Sequence, residues 1–387
     1  MSFLSLDWLI ALIATVSLYW LCPGRWRQWL LIAITFLFIS LKSPESSVIL
    51  AVFALTTFQL TRGQKVTGRR ALLALAVVIS TLAYFKFRLF SAGGRAGDII
   101  ENVAIPLGLS YYAFRCAHFI FERYRNTLPQ PTFKQYLGYL YFLPTLVVGP
   151  INRSKEFFEQ TANVTWSPSS ISDGLERILY GYFKVAVLSG FLVTSVLGGL
   201  ILDLPAEQKA LRAYLEIVQD GFNLYFLFAG FSDIAIGFGL LLGIRVMENF
   251  NWPYIQQNIG EFWRRWHISL STWCRDYVYF PVLGATRNPY LATLASFVTI
   301  GLWHEISLRY IIWGLYHGVG ILMWRMFHER TRAFRLSLQK NRAMGFLVSG
   351  MSILLTLHFV FLGLVIINQP SFSAVFEVYR TVLLFWI

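Results

Sequence analysis

The chain has 387 residues, of which 56% are hydrophobic, 17% are aromatic and only 14% are charged. Soluble globular proteins carry about 25% charged residues, so this composition excludes an ordinary soluble domain and predicts a polytopic membrane protein. The formal net charge of +13 is typical of Lys and Arg concentrated in cytoplasmic loops, and no soluble basic module indicates a nucleic-acid partner.

The first quarter of the chain contains four apolar runs, at 5–22, 28–41, 47–61 and 70–90. A bilayer-spanning helix needs about 20 predominantly apolar residues, so these runs are candidate spans. The first run is too long for a signal-peptide core, and no small-residue cleavage pattern follows it. Arginines and lysines follow the first and third runs, so the positive-inside rule predicts an N-terminus that faces outward.

Eight further apolar runs lie at 104–121, 136–150, 175–202, 210–243, 291–303, 306–327, 345–368 and 373–387. Some are too short and others too long for one simple span, which predicts roughly ten to twelve transmembrane or re-entrant helices. The sequence contains no internal repeat and no linker that would separate two domains. We therefore expect a single all-α membrane domain over 1–387, with N-terminal spans at 1–90, a core at 100–330 and C-terminal helices at 345–387.

The hydropathy collapses in the segment 247–288, where aromatic residues are mixed with arginines and prolines. Its arginines place it on the cytoplasmic side, while its tryptophans and tyrosines are typical of an interfacial or half-buried re-entrant element. Because long insertions in a compact domain are more often functional than decorative, this segment predicts a binding site.

Two histidines, His304 and His317, stand thirteen positions apart in the stretch GLWHEISLRYIIWGLYHG, 301–318. On one continuous helix they would lie about 19.5 Å apart on different faces, so they meet only if the chain breaks between them. A neutral histidine at membrane depth can act as general base toward a hydroxyl, or can simply hydrogen-bond to a neighbouring helix. Glu305 and Arg309 are four residues apart and predict a helical ion pair.

Other chemistry is not supported by the sequence, which has no serine-nucleophile elbow, phosphate-binding loop or zincin motif. Three scattered cysteines predict neither a disulfide framework nor a metal site, and we expect no bound metal. Four remaining histidines are interpreted as interfacial residues or as single polar contacts in a helix bundle: His118, His267, His328 and His358.

Several stretches together resemble the membrane-bound O-acyltransferase superfamily, in particular its bacterial alginate O-acetyltransferases and teichoic acid D-alanyltransferases. They are IPLGLSYYAFR (105–115), FLPTLVVGPINR (142–153), FAGFSDIAIGFGLLLGIRVMENFNWPY (228–254), FWRRWHISLSTWCRDYVYFP (262–281) and the stretch 301–318. The resemblance covers about residues 100–330 closely and the first four spans in outline. It implies a bundle of helices around a central funnel.

The resemblance also assigns roles to the two histidines. The family's catalytic histidine, in a W-G-x-x-H context, falls on His317, and a second functional histidine, in a G-x-W-H context, falls on His304. The family usually has glycine where this chain has Glu305. His317 would remove the acceptor's hydroxyl proton, and His304 would orient the acceptor or stabilise the oxyanion. Three aromatic residues would line the tunnel or only pack between helices: Trp303, Trp313 and Tyr316.

The implied reaction is acyl transfer from a cytoplasmic thioester to a hydroxyl on the outer face. The donor would be acetyl-CoA or a carrier protein's phosphopantetheine arm, used as a co-substrate, and no cofactor is held permanently. Arg264, Arg265 and Arg275 are suited to the donor's phosphates, although contact with anionic lipid explains them equally well.

O-acetylation of a cell-envelope or secreted polysaccharide is the favoured function. The acetyl group goes either to the polysaccharide itself or to a partner protein that passes it on. D-alanyl transfer toward a teichoic-acid-like polymer is the first alternative, and a lipid-linked sugar transporter is the second. The expected partners are membrane lipids, the acyl donor and an extracytoplasmic acyltransferase or polysaccharide partner. These functions place the chain in a bacterial cytoplasmic membrane.

Overall fold

The structure is a computed structural model, and it describes residues 6–91, 108–331, 334 and 341–383. Within these ranges the regular secondary structure is helical and includes no strand. The start of the predicted run 104–121, with the first three residues of IPLGLSYYAFR, lies outside the described residues, as do the last four residues of the run 373–387. The prediction of an all-α protein is confirmed.

The α-helices follow one another along the chain as α1 (Leu6–Leu21), α2 (Gly24–Lys42), α3 (Pro44–Thr61), α4 (Gly68–Ser91), α5 (Leu109–Tyr124), α6 (Phe133–Leu140), α7 (Ser154–Ala162), α8 (Pro168–Tyr182), α9 (Gly198–Leu202), α10 (Lys209–Leu241), α11 (Ile259–Arg265), α12 (Ile268–Cys274), α13 (Phe280–Thr286), α14 (Pro289–His304), α15 (Leu308–Arg330), α16 (Arg342–Asn368) and α17 (Phe372–Leu383). Two π-helical stretches, Phe183–Leu197 and Arg275–Tyr279, continue α8 and α12 without a break.

Four helical stretches in the described ranges are long and apolar enough to cross a bilayer: Gly68–Phe87, Pro168–Leu202, Lys209–Leu241 and Arg342–Asn368. The stretch Trp8–Leu21 has the same apolar character but is shorter. A chain with several such helices is a polytopic membrane protein, as the composition predicts. The total of ten to twelve transmembrane or re-entrant helices and the central funnel stay predictions.

The chain forms two compact units, each built from two segments. Met1–Tyr182 and Phe231–Glu248 make up the first unit, and Phe183–Gly230 and Asn249–Ile387 make up the second. All the predicted site residues belong to the second unit. The single domain expected over 1–387 stays a prediction.

In the first unit, a fully buried arginine holds together two of the stretches that carry the family resemblance. The guanidinium of Arg115, on α5, donates to the carbonyl oxygens of Tyr139 at 3.1 Å, Leu140 at 3.0 Å and Thr145 at 2.5 Å. A buried charge is tolerated only when such partners replace its water. Arg115 therefore fixes the end of α6 and the turn that follows it.

Two further polar contacts in the first unit have a structural role. Arg177 pairs with the buried carboxylate of Asp233 at 2.8 Å. His118 accepts the backbone N–H of Ser154 at 2.9 Å, where α7 begins. The interpretation of His118 as a polar contact within a helix bundle is confirmed.

The second unit contains a tight helical hairpin made of α14 and α15. A Cβ atom at Gly301 would overlap the carbonyl oxygen of Tyr310, and one at Gly314 would overlap the carbonyl oxygen of Phe297. Glycines at helix contacts let two backbones approach closely, so these positions set the spacing of the hairpin. This close packing brings the two histidines of the stretch 301–318 into one region.

Candidate active site

The chain breaks between the two predicted histidines. α14 ends at His304, α15 begins at Leu308, and the N–H of Glu305 bonds to the carbonyl oxygen of Gly301 in the last helical turn. The chain reverses at this break, and both imidazoles then contact one indole. The ring centroid of Trp313 lies 5.8 Å from that of His304 and 4.8 Å from that of His317. The helix is thus interrupted between the two histidines, which is the condition that the sequence set for their coming together.

His317 lies in an aromatic cage and is only 1% exposed. Besides Trp313, the rings of Trp263 and Phe359 meet it edge-on, with centroids 5.2 and 5.6 Å away. The indole N–H of Trp263 donates to Nδ1 of His317 at 3.4 Å. Because a nitrogen that accepts a hydrogen bond carries a lone pair, Nδ1 is the basic nitrogen of this imidazole.

His304 is half-buried at the end of α14 and is surrounded by aromatic rings. Its centroid lies 4.5 Å from that of Trp303 and 5.8 Å from that of Tyr310, which is stacked on it. Trp303 and Trp313 therefore both contact a predicted histidine. Tyr316 also contacts a predicted histidine, since its ring centroid lies 5.3 Å from that of His317. In addition it stacks on Phe359 at 4.3 Å and donates its hydroxyl to that residue's carbonyl oxygen at 2.8 Å, so it joins α15 to α16.

The predicted ion pair between Glu305 and Arg309 is present, with Nη2 and Oε1 3.5 Å apart. The prediction that both residues lie on one helix is wrong, because Glu305 is in extended backbone after the end of α14 and Arg309 belongs to α15. Arg309 also donates to the carbonyl oxygen of Gln369, directly after α16. The pair therefore joins the non-helical connection between α14 and α15, next to His304, to the end of α16. This contact gives Glu305 a structural role.

His267 is a third histidine of this region, and the sequence interpretation did not single it out. It is 2% exposed, its φ of 43° lies in the left-handed region, and its centroid is 5.9 Å from that of Trp303. Nε2 of His267 has no hydrogen-bond partner among the described residues. Burial first, and the charge of His304 second, hold the pKa of His267 well below its ordinary value, so the ring is neutral near pH 7. The sequence feature that could have identified His267 is the motif FWRRWH, of which it is the last residue.

A cavity of about 630 Å³ lies beside His317 in the second unit. Arg264, Arg275 and Arg325 contribute to its wall, and Trp263 lines it as well. Arg264 pairs with Glu261, and Arg275 pairs with Asp276 at 2.8 Å. The structure thus brings two of the three predicted donor-binding arginines to one cavity.

Arg265 is placed differently from the other two predicted donor-binding arginines. It is not among the residues that line the cavity in the described part of the chain, and its Nε lies 3.8 Å from Glu261. Successive residues of a helix point in directions about 100° apart, so Arg264 and Arg265 on α11 face different surroundings.

The described ranges contain no group of three or more His, Cys, Asp or Glu side chains that could hold a metal ion.

Similarity to known proteins identifies the family of this chain. The profile of the MBOAT, membrane-bound O-acyltransferase family matches residues 121–364. The probable alginate O-acetylase AlgI of Pseudomonas putida is 34% identical over 333 residues, which cover 80% of this chain and 67% of the relative.

Two other relatives are named for different activities. The teichoic acid D-alanyltransferase of Bacillus subtilis is 31% identical over 289 residues, 70% of this chain and 71% of the relative. The peptidoglycan O-acetyltransferase of Helicobacter pylori is 27% identical over 346 residues, 80% of this chain and 63% of the relative. The chain spans about two thirds of the length of the alginate O-acetylases it matches. The resemblance inferred from the motifs is confirmed, and the chain belongs to the membrane-bound O-acyltransferase family.

Proposed function

We propose that this chain transfers an acyl group, specifically acetyl, from a cytoplasmic thioester to a hydroxyl of an extracytoplasmic polysaccharide or to a partner protein that passes the group on. The reaction class follows from membership of the family and from the names of the relatives. The observation that carries the assignment to residues is the buried imidazole of His317, whose basic nitrogen is held by a residue of the cavity wall.

The neutral imidazole of His317 is suited to general-base catalysis. Nδ1 takes the hydroxyl proton while the hydroxyl oxygen attacks the thioester carbonyl, and the carbon–sulfur bond then breaks. The proton returns from the imidazolium to the leaving thiolate, so the products are an ester and a thiol. General-base catalysis of this kind contributes about 10²–10⁴-fold to a rate.

The negative charge that develops on the carbonyl oxygen needs a hydrogen-bond donor. The indole N–H of Trp313 is buried beside His317 and has no hydrogen-bond partner among the described residues. An N–H that is already fixed and unpaired can donate to an oxyanion without reorganisation. We assign this role to Trp313, while His304, on the other side of the same indole, orients the acceptor hydroxyl.

The cavity is the proposed donor site. Its volume of about 630 Å³ lies within the range of small-molecule pockets, about 300–1,000 Å³. Arg264, Arg275 and Arg325 offer guanidinium groups to the phosphates of coenzyme A or of a phosphopantetheine arm. We assign the donor phosphates to these three arginines, and we do not include Arg265.

D-alanyl transfer from a carrier protein is the second candidate. It is favoured by the match to the D-alanyltransferase of Bacillus subtilis, of which this chain covers 71%. Both candidates place the chain in a bacterial cytoplasmic membrane with its N-terminus outside. Both also use membrane lipids and an extracytoplasmic acyltransferase or polysaccharide partner. The transporter alternative has no support from these relatives, which are named as acyl-group transferases.

The test uses the purified chain in lipid vesicles that enclose a polysaccharide acceptor, with radiolabelled acetyl-CoA or a D-alanyl-loaded carrier protein supplied outside. We expect label to move from acetyl-CoA to the acceptor in wild type and this transfer to be lost in His317→Ala. His358→Asn is the matched control, because His358 pairs with Tyr214 at 2.5 Å and lies outside the site. Turnover of the D-alanyl carrier alone would select the second candidate. Full turnover by His317→Ala would contradict the catalytic assignment.

A further inference from the structure

Trp263 contacts both the cavity and the proposed base. It lies on α11, is 6% exposed and lines the 630 Å³ cavity, while its indole N–H donates to Nδ1 of His317. Phe297 meets its ring edge-on at 4.9 Å. His317, in contrast, is not among the cavity-lining residues in the described ranges. The indole therefore stands at the point where the donor cavity and the catalytic ring come together.

The hydrogen bond occupies the lone pair that general-base catalysis needs. A ring nitrogen has a single lone pair, so Nδ1 cannot accept a proton from water or from a hydroxyl while it accepts the indole N–H. The distance of 3.4 Å is longer than the usual 2.7–3.2 Å of protein N–H donors, which makes this bond easy to release. The adjoining cavity supplies volume into which the indole can turn.

We propose that Trp263 is a gating residue that blocks the base of His317 until substrates are in place. The proposal rests on the proposed acyl transfer and adds to it a selectivity for the acceptor hydroxyl over water. When the acyl donor enters the cavity and an acceptor hydroxyl arrives, the indole turns away from Nδ1 and the hydroxyl proton takes its place. Trp263 is a positioning residue in this scheme, because it acts on the reaction through His317.

The function of such a gate is to suppress hydrolysis of the thioester. Water can replace the acceptor: His317 takes a water proton, the water oxygen attacks the carbonyl, and the carbon–sulfur bond breaks to give a carboxylic acid and a thiol. This side reaction consumes donor without modifying the polymer. Exclusion of water from a reactive site is a general means of preventing it.

The gate is tested by measuring free acetate and thiol released from radiolabelled acetyl-CoA, with and without polysaccharide acceptor. Trp263→Phe removes the N–H and keeps an aromatic ring. We expect hydrolysis without acceptor to rise roughly five- to tenfold, and the ratio of hydrolysis to transfer to rise with it. Adding His317→Ala to this variant should abolish the extra hydrolysis, since the released base causes it.

Trp273→Phe is the matched control. Trp273 is a buried tryptophan of α12 that packs on Tyr277 at 5.1 Å and is not among the residues that line the cavity in the described ranges. We expect it to keep the wild-type ratio. If Trp263→Phe does not accumulate in the membrane, Trp263→Met, which also lacks the donor, gives the same readout.

The outcomes separate this proposal from the one it rests on. An unchanged ratio in Trp263→Phe or Trp263→Met, with transfer still dependent on His317, would overturn the gate and leave the acyltransferase intact. A wild-type protein that transfers label to an acceptor neither from acetyl-CoA nor from a D-alanyl-loaded carrier would contradict the proposed function itself. A rise in hydrolysis that persists without His317 would also overturn the gate, because the indole would then be acting through bulk alone.

Discussion

A Cβ atom placed on Gly363 would lie 3.1 Å from Nε2 of His317. The backbone of α16 thus approaches the imidazole at Nε2, the ring nitrogen that Trp263 does not hold. The same Cβ would lie 2.9 Å from Cε1 of Tyr316, whose ring is stacked on Phe359 and has little freedom to move. The orientation of His317 therefore depends on a glycine that carries no chemistry of its own.

Gly363→Ala is expected to displace the His317 ring and to lower the rate of acyl transfer about tenfold or more. Misplacement of a reacting group by about 1 Å can reduce a rate about 10²-fold. Gly350→Ala, on the same helix, is the control, since nothing lies within 4 Å of a Cβ there. Turnover of labelled donor, with membrane insertion measured in parallel, checks the prediction. Equal rates for the two variants would argue against it.

Trp313→Phe should lower kcat for transfer about 10²-fold and leave KM for the donor nearly unchanged. Loss of one oxyanion donor typically reduces kcat about 10²–10³-fold. The phenyl ring retains most of the packing between the rings of His304 and His317. Steady-state kinetics on both constants provide the measurement. A rise in KM alone would place Trp313 in donor binding instead.

Gly301→Ala tests the hairpin rather than the chemistry. The added methyl group would overlap the Tyr310 carbonyl oxygen, which belongs to the backbone and cannot rotate away. Overpacking of this kind destabilises a fold by about 1–3 kcal/mol. Gly284→Ala, with nothing within 4 Å of its Cβ, should leave stability unchanged or slightly higher. Thermal unfolding of the detergent-solubilised variants distinguishes the two cases.

His267 should make stability depend on pH. Its pKa in the folded protein is held well below the ordinary value by burial and by the charge of His304. The unfolded chain therefore binds a proton that the folded chain does not, so stability is full above about pH 6.5 and falls as the pH is lowered.

His267→Gln should flatten this dependence by up to about 1.4 kcal/mol per pH unit below about pH 6.5. The measurement is the unfolding temperature of wild type and variant between about pH 5 and 8, converted to free energy. His358→Gln serves as the control for the loss of a histidine. Parallel pH curves for wild type and His267→Gln would show that His267 takes up its proton at the same pH in the folded and unfolded states, which would contradict a lowered pKa.

Arg264 and Arg275, the two predicted donor-binding arginines that line the cavity, should act on donor affinity, whereas Arg265 should not. Arg264→Gln and Arg275→Gln each remove a guanidinium from the cavity wall, and each should raise KM for acetyl-CoA about fivefold. Arg265→Gln, on the same helix, should change KM less than twofold. Both effects should shrink at high salt, because exposed charges are screened. Initial rates against donor concentration at two ionic strengths decide between donor binding and lipid contact.

The roles of Trp263 and Arg265 show where prediction from the chain stops. The segment 247–288 was predicted to contain a binding site, and it contributes most of the arginines of the cavity. Arg264 and Arg265 are the same residue type with the same charge, so only the direction of each side chain on α11 determines which of them lines the cavity. Trp263 lies 54 residues before His317, and no periodicity relates two residues so far apart.

The sequence by itself determined the class of this protein, its family and the histidines of interest. These follow from average hydropathy, from residue spacing and from motifs, which are properties of short stretches of chain. Only the tertiary structure decided that the chain breaks at Glu305, so that His304 and His317 contact the same indole, and that Trp263 occupies the basic nitrogen of His317. Such contacts depend on how closely helices approach one another, which the glycines at positions 301, 314 and 363 control through the packing of backbone against neighbouring atoms.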